Sequence, residues 1–247
     1  MKNLSFIIAF LLLFSCSVFA QVGINTDNSE PDPSAMLDVK STSRGLLPPR
    51  MTTAERDAID QPVAGLTIYN TSKKGNETYN GTYWVTNTHY IGENYGGGIV
   101  FYVYDYGQHG LIAALADQST ALQWYNGVYR ITGATGDGMN AGVMNTAMIV
   151  ATQMADNQNG NFAAKICADY SNISLGGVSY GDWYLPSKYE LNLLWQKKGI
   201  VGGFGYFYYW SSTEVGDSYA WGQIFSDGEQ HLYVKGDPDN VRAIRAF

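Results

Sequence analysis

The residues able to do acid–base, metal or nucleophilic chemistry are few and scattered. His89, His109 and His231 could move protons near neutral pH or ligate a metal, but they stand far apart and none has a second ligand at useful spacing. Each is read as a surface or packed histidine. The turns Asp137-Gly138 and Asp237-Pro238-Asp239-Asn240 are rich in the oxygen that calcium prefers, yet neither follows an EF-hand spacing, and they are read as solvated turns. Ser211-Ser212 has neither a paired base nor a nucleophile elbow around it. Cys167 lies in the small-residue run from Ala163 to Ala168, which reads as a helix face holding a buried, inert thiol. The chain also lacks GxxxxGK[ST], HExxH and CxxC. No catalytic residue, no metal ligand and no cofactor is assigned.

Recognition chemistry is better represented. Between Phe204 and Arg242 the anchors Trp210, Ser211, Ser212, Thr213, Trp221 and Phe225 alternate with positions of mixed character. Among the latter, Tyr206, Val215, Asp217, Ser218, Tyr219, Ile224, Asp227, His231 and Tyr233 form the expected ligand-binding set. Tyrosine, serine and aspartate suit adaptable binding loops, since tyrosine offers a large contact at small entropic cost. Arg242 and Arg245 are expected to be pinned by carboxylates such as Glu214 or Asp182.

The elements that must hold these residues follow from composition and period. A net charge of −7 and a pI near 4.8 argue against nucleic acid and sulfated polysaccharide as main partners. Residues 1–20 read as a signal peptide: Lys2, an apolar run from Leu4 to Phe14, and a cleavage site at Val18-Phe19-Ala20 that leaves Gln21 first. A rival reading takes Leu13-Phe14-Ser15-Cys16 as a lipobox with Cys16 lipidated, which bulky Phe14 fits poorly; either way the chain is exported. Residues 21–89 hold only Tyr69, Tyr79, Tyr83 and Trp84 as aromatics and can bury little apolar area alone. Within them Thr52-Thr53-Ala54-Glu55 has capping-box spacing for a short helix, Leu66–Tyr69 alternates like a strand, and Asn80-Gly81 marks a hairpin. Residues 90–247 carry 27 aromatics and form the working domain, opening with a hairpin of Ile99–Tyr104 and Gly110–Ala114. Helices are expected from about Asn145 to Ala155, with a Met144/Met148 stripe facing the core, from Asn161 to Ala168, and from Ser187 to Gly199 with Glu190 as capping-box acid and Leu191, Leu194 and Trp195 inward. Trp183, Leu185, Trp210 and Trp221 are the expected large anchors. Short strands follow at Tyr208–Ser212, Tyr219–Phe225, Leu232–Val234 and Val241–Phe247.

Two stretches resemble known families. QVGINT, SAMLDVKST and GLLPPRMTTAERDAI resemble the stalk segments of phage tail fibres and of bacterial surface proteins that carry them, which implies a homotrimer. GGGIVFYV, GDWYLPSKYEL, YYWSSTE and VRAIRAF, in this order, resemble the C-terminal domain of collagen-like bacterial adhesins. The segment Trp183–Leu191 is also similar to one in the formylglycine-generating enzyme superfamily and in the variable proteins of diversity-generating retroelements. The resemblance implies an α+β, C-type-lectin-like domain: two or three helices on a twisted antiparallel sheet, preceded by a small β-rich stalk, with Arg242, Arg245 and Phe247 returning beside the first strand. Oxidase activity in that superfamily needs a cysteine pair, which a mature chain with Cys167 alone cannot supply. Retroelement variation acts at template adenines, and the nine ligand-binding positions fall within what an Asn codon can reach. Gln223, Glu229, Gln230 and Lys235 fall outside and are expected to be fixed.

These readings converge on a secreted or surface-displayed recognition protein. Its stalk trimerises, and its head binds a glycan or a surface protein of another cell or phage. The alternatives are a fibre subunit without its own ligand, and an enzyme of unrecognised type.

Overall fold

A computed structural model describes residues 21–86, 88–173 and 177–247; the expected export signal and Cys16 lie outside them. The chain is α+β and dominated by sheet. Its first part begins with β1 (Val22–Ile24) parallel to β2 (Leu37–Val39), a pair whose apolar side chains are all exposed. β3 (Arg50–Met51), α1 (Thr53–Asp57), β4 (Thr67–Asn70), β5 (Gly75–Tyr79) and β6 (Trp84–Thr86) follow, and the strands form one sheet in the order β3-β4-β5-β6. The capping box of α1 is present, with Thr52 and Glu55 bonding reciprocally. At the β5–β6 turn the Asn80 side chain accepts from the amides of Thr82 and Tyr83.

Poor in apolar residues, this small sheet is organised around a charge. Buried Glu77 accepts from Arg56 Nη1 at 2.6 and 2.8 Å, Asn70 Nδ2 at 2.7 Å and Lys73 Nζ at 2.8 Å. Burial alone would raise its pKa, but these donors hold it below the usual carboxylate range.

The second part contains two larger sheets. β7 (Asn94–Tyr95), β8 (Gly98–Tyr104) and β9 (His109–Ala114) make the expected hairpin with a short edge strand. Next come β10 (Ser119–Leu122), α2 (Ala141–Met154), α3 (Ala163–Ala168), the small pair β11 (Asn172–Ile173) and β12 (Ser179–Tyr180), α4 (Lys188–Gln196) and α5 (Lys198–Val201). The chain closes with β13 (Tyr208–Val215), β14 (Tyr219–Ile224), β15 (Gln230–Val234), β16 (Asp239–Val241) and β17 (Ile244–Ala246). One sheet runs β17-β9-β8-β7 and the other β10-β16-β13-β14-β15. Val100, Ile112, Trp124, Ile149, Phe162, Trp183, Leu185 and Trp210 fill the main core. A second cluster, with Phe101, Leu111, Leu191, Leu194, Tyr209 and Phe225, lies under α4.

Several expectations change here. The run from Val241 to Phe247 is two strands, because the chain crosses between sheets at Arg242-Ala243. β17 then pairs with β9, the second strand of the hairpin, not the first. Helix α2 starts earlier, at Ala141, and is rotated: Met144 is 64% exposed, and Gly142, Asn145, Thr146, Ile149 and Gln153 face inward. Hydrogen bonding explains the rotation. Asn145 bonds both backbone groups of Gly136, Thr146 Oγ1 bonds the N–H and C=O of Leu185, and Gln153 accepts from Asn126 N at 2.9 Å. Gly199 does not end the third helix; the turn of α5 contains it, and the stop is Gly202 at φ +74°. Trp195 is only half-buried, as is Trp221, whose ring lies under Lys188 Nζ at 3.7 Å.

Glu190 does more than cap α4. Fully buried, it accepts from Ser187 N, Asn140 N, Gly142 N and Tyr184 Oη, so one carboxylate joins the starts of two helices. Burial pushes its pKa up, against the pull of those donors. The approach is so close that a Cβ on Gly142 would meet Glu190 Oε2 at 2.5 Å and Leu185 O at 2.7 Å. Ser187→Ala should therefore cost roughly 0.5–2 kcal/mol. Gly142→Ala should cost about 1–3 kcal/mol through forced displacement of α2, both read from urea titrations of the purified protein.

Candidate ligand-binding face

Register decides which expected ligand-binding residues can act together, because paired residues of neighbouring strands share a face and successive ones alternate. Val215 pairs with Tyr219, Tyr219 with Val234, and Trp221 with Leu232, which puts these five on one face of the β13–β15 sheet. Val215, Tyr219 and Leu232 are 42, 46 and 43% exposed. Helix α4 covers the rest of this face: Gln223 bonds Asn192, and Gln230 bonds the carbonyl of Lys188. The opposite face holds Tyr233 opposite Ala220, His231 opposite Gly222, and Ile224 opposite Tyr208. There Tyr233 is half-buried, packed on Tyr208 at 4.4 Å and edge-on to Trp210, while His231 is exposed and bonded to Glu229.

The turns separate the set further. Asp217 and Ser218 sit in the β13–β14 turn, bonded to each other, beside Val215 and Tyr219. Asp227 lies at the other end of β14, where it accepts from Glu229 N. Tyr206, almost fully exposed, belongs to that second end, since the carbonyl of Phe207 accepts from Phe225 N. The candidates thus form two groups: Val215, Asp217, Ser218 and Tyr219 at one end, and Tyr206, Ile224, Asp227 and His231 at the other, with Tyr233 serving the packing between the sheet and Trp210.

The first group is held by a buried ion pair. Lys235 Nζ donates to Glu214 Oε2 at 2.8 Å, to Gly216 O at 2.9 Å and to Arg130 O at 3.0 Å, and sits 4.3 Å from the Trp124 ring. Glu214 also accepts from the amides of Thr132 and Gly133. Burial works against the charge, yet Lys235 and these amides hold Glu214 below the usual carboxylate range. One ammonium therefore fastens the β13–β14 turn to the loop containing Arg130. That loop brings Tyr125 and Tyr129, stacked at 4.7 Å, with a Cβ on Gly236 placed 3.0 Å from Tyr129 Oη. Tyr129 is exposed, and its approach to Gly236 places the two tyrosines beside the same end of the sheet. Sequence reasoning missed them, and it read Trp221 as an anchor and not as part of the face. The spacing Tyr125-Asn-Gly-Val-Tyr129 hints at paired rings in a turn, but only the fold brings that loop to residues 216–219.

Residues that could have done chemistry have structural partners. His89 Nδ1 bonds Glu93 at 2.9 Å and its ring stacks on Tyr95; His109 is exposed beside Tyr104. Among the described residues no three His, Cys, Asp or Glu side chains are placed to hold a metal ion. Burial pushes the Cys167 thiol up, which keeps it protonated. Ser211 donates to Trp221 O, Thr213 to Gly136 O, and Ser212 accepts from Asn145. Asp137 accepts from Tyr189 N. Arg245 pairs with Asp182, as expected, but Arg242 pairs with Asp117 at 2.6 Å, because Glu214 is already committed to Lys235.

Residues 23–99 match the family model described as a phage tail like trimerisation region. The match takes in nearly all of the segment expected to trimerise and runs ten residues past its expected end at 89, to the start of β8. No curated protein matches the chain. The similarity supports a homotrimer and fits a structural or adhesive role in a surface or phage-type fibre.

Two stability outcomes follow from this site. Lys235→Met leaves Glu214 buried without its cation and should cost about 3–5 kcal/mol in urea unfolding. Asp239 is buried with Oδ2 unpartnered, and burial followed by the nearby Asp237 charge raises its pKa to about 6. An unfolded aspartate titrates near 3.9, so between about pH 4 and 6 the folded chain keeps a proton that the unfolded chain releases. Stability contributed by Asp239 therefore falls as pH rises through that window. Asp239→Asn should melt higher than the parent at pH 7, and the difference should close by pH 4.

Proposed function

We propose that the protein is an exported, trimeric adhesin. Residues 1–20 direct export, residues 21–89 assemble the stalk, and residues 90–247 are C-type-lectin-like heads that capture a glycan or a surface protein of another cell or phage. The match to a trimerisation region carries this reading, since the two larger sheets lie almost wholly beyond it in the sequence. The apolar surface of the stalk supports it: Leu46 and Leu47 are 71 and 78% exposed, and the apolar side chains of the β1–β2 pair are exposed among the described residues. Three chains together could bury what one cannot.

In the head, capture is assigned to the end of the sheet that carries Val215, Asp217, Tyr219, Trp221 and Leu232, with Tyr125 and Tyr129 beside it. Exposed aromatics there stand on a turn fixed by Lys235, which is the preorganisation that favours tight recognition. The second end, with Tyr206, Ile224, Asp227 and His231, offers separate contacts.

The protein recovered from the medium, with Gln21 at its N-terminus, should scatter light as a trimer, and Leu46→Asp with Leu47→Asp should reduce it to monomer. Tyr219→Ala with Leu232→Ala should abolish capture of a target cell while shifting stability by no more than about 0.5 kcal/mol. Trimers that capture nothing would instead mark a fibre subunit.

A further inference from the structure

A cleft of about 670 Å³ lies away from the β13–β15 face, between the free edge of the first sheet at β6 and the free edge of the hairpin sheet at β7. Its size is within the roughly 300–1,000 Å³ range of small-ligand sites. Tyrosine and tryptophan rings line it, beside the His89 imidazole: Tyr83 and Trp84 from the β6 side, Tyr95 from β7, and Tyr180 from β12. Three of these rings are held from behind. Tyr95 stacks on His89 at 3.8 Å with Phe247 edge-on, and Tyr180 lies under the Arg245 guanidinium at 4.1 Å. Trp84 leans on Tyr79 at 5.5 Å with the Arg56 guanidinium 5.8 Å away. Tyr83 stands exposed at the mouth.

The charged side chains that line the cleft are already bonded: Lys73 to Glu77 at 2.8 Å, and Glu93 to His89 Nδ1 at 2.9 Å. An ionic ligand would have to compete with these bonds. A ligand with hydroxyls, which donate and accept, could use the remaining lone pairs of Glu93 and the amide of Asn94 while laying C–H faces against the rings.

From this geometry we infer that the cleft is a binding site for a neutral oligosaccharide, separate from the proposed head face. Most of its wall belongs to the matched trimerisation region, so that segment binds as well as assembles. The site needs both parts of the chain: Tyr180, the wall residue farthest along the sequence, comes from the head and is positioned by Arg245, itself fixed by Asp182 at 2.7 and 2.8 Å.

The test uses the full-length exported protein on an array of neutral, sialylated and sulfated glycans and of extended peptides, followed by calorimetry with the neutral glycan captured best. Tyr180→Ala and Trp84→Ala should each weaken that glycan at least tenfold, Tyr180→Phe should retain binding, and Tyr219→Ala should leave it unchanged. Light scattering of each variant checks that the trimer persists; Tyr180 lies outside the matched region, so its variant remains informative if Trp84→Ala disturbs assembly. Capture of charged glycans or peptides alone, no capture of any neutral glycan, or indifference to Tyr180→Ala would overturn the inference. Loss of capture in Tyr219→Ala alone would overturn it too while supporting the head face, whereas loss in Tyr180→Ala alone leaves the cleft standing and removes the head face as the glycan site.

Discussion

One buried ammonium organises the head. Lys235 has three N–H bonds, and each finds an oxygen: a carboxylate on β13, a carbonyl in the β13–β14 turn and a carbonyl in the loop before α2. In a low-dielectric interior such a group leaves little freedom, since losing any partner strands a charge. It joins the β13–β14 turn to a loop more than eighty residues earlier in the sequence, and the exposed residues of the candidate face stand on both. The face is therefore as rigid as the salt bridge beneath it, and its side chains can vary without disturbing the turn that presents them.

The same device recurs. Glu77 gathers Arg56, Asn70 and Lys73 in the first sheet, and Glu190 gathers four donors at the starts of α2 and α4. A chain with only 15% charged residues places several of them at the centre of its domains. Buried ions contribute less to net stability than apolar packing of equal volume, but each accepts very few geometries. Here they define loops and helix starts that apolar contact alone would leave loose. The inward face of α2 follows the same logic, with amides and a hydroxyl turned to the core and Met144 left outside.

Local features were legible in the sequence, because their causes lie within a few residues. Both capping boxes, the Asn80-Gly81 turn, the β8–β9 hairpin and the strands β13 to β15 stand where spacing and residue type place them. The Arg245–Asp182 pair was also foreseen. What escaped depends on distant partners: the rotation of α2 answers to Gly136 and Leu185, Arg242 answers to Asp117, and Gly199 is overridden by a further helical turn. The candidate site was legible as a region, not as a surface. Alternation along each strand was visible, but cross-strand register is not, and register is what sends Tyr219 to one face and Tyr233 to the other. Gln223 and Lys235, set apart in the sequence from the varying positions, prove to be fully buried and bonded.

The return of β17 to β9 bears on how the domain comes into being. Gly110 and Phe247 exchange backbone hydrogen bonds, and the Phe247 ring closes against Tyr95 and His89. The outer strand of the hairpin sheet is therefore supplied only after everything between has been synthesised. Until then β9 has an open edge and Tyr95 lacks its edge-on neighbour Phe247, so the nascent head cannot seal stepwise from its beginning. Closure over so long a loop is slow, and it makes completion of the head a single late event.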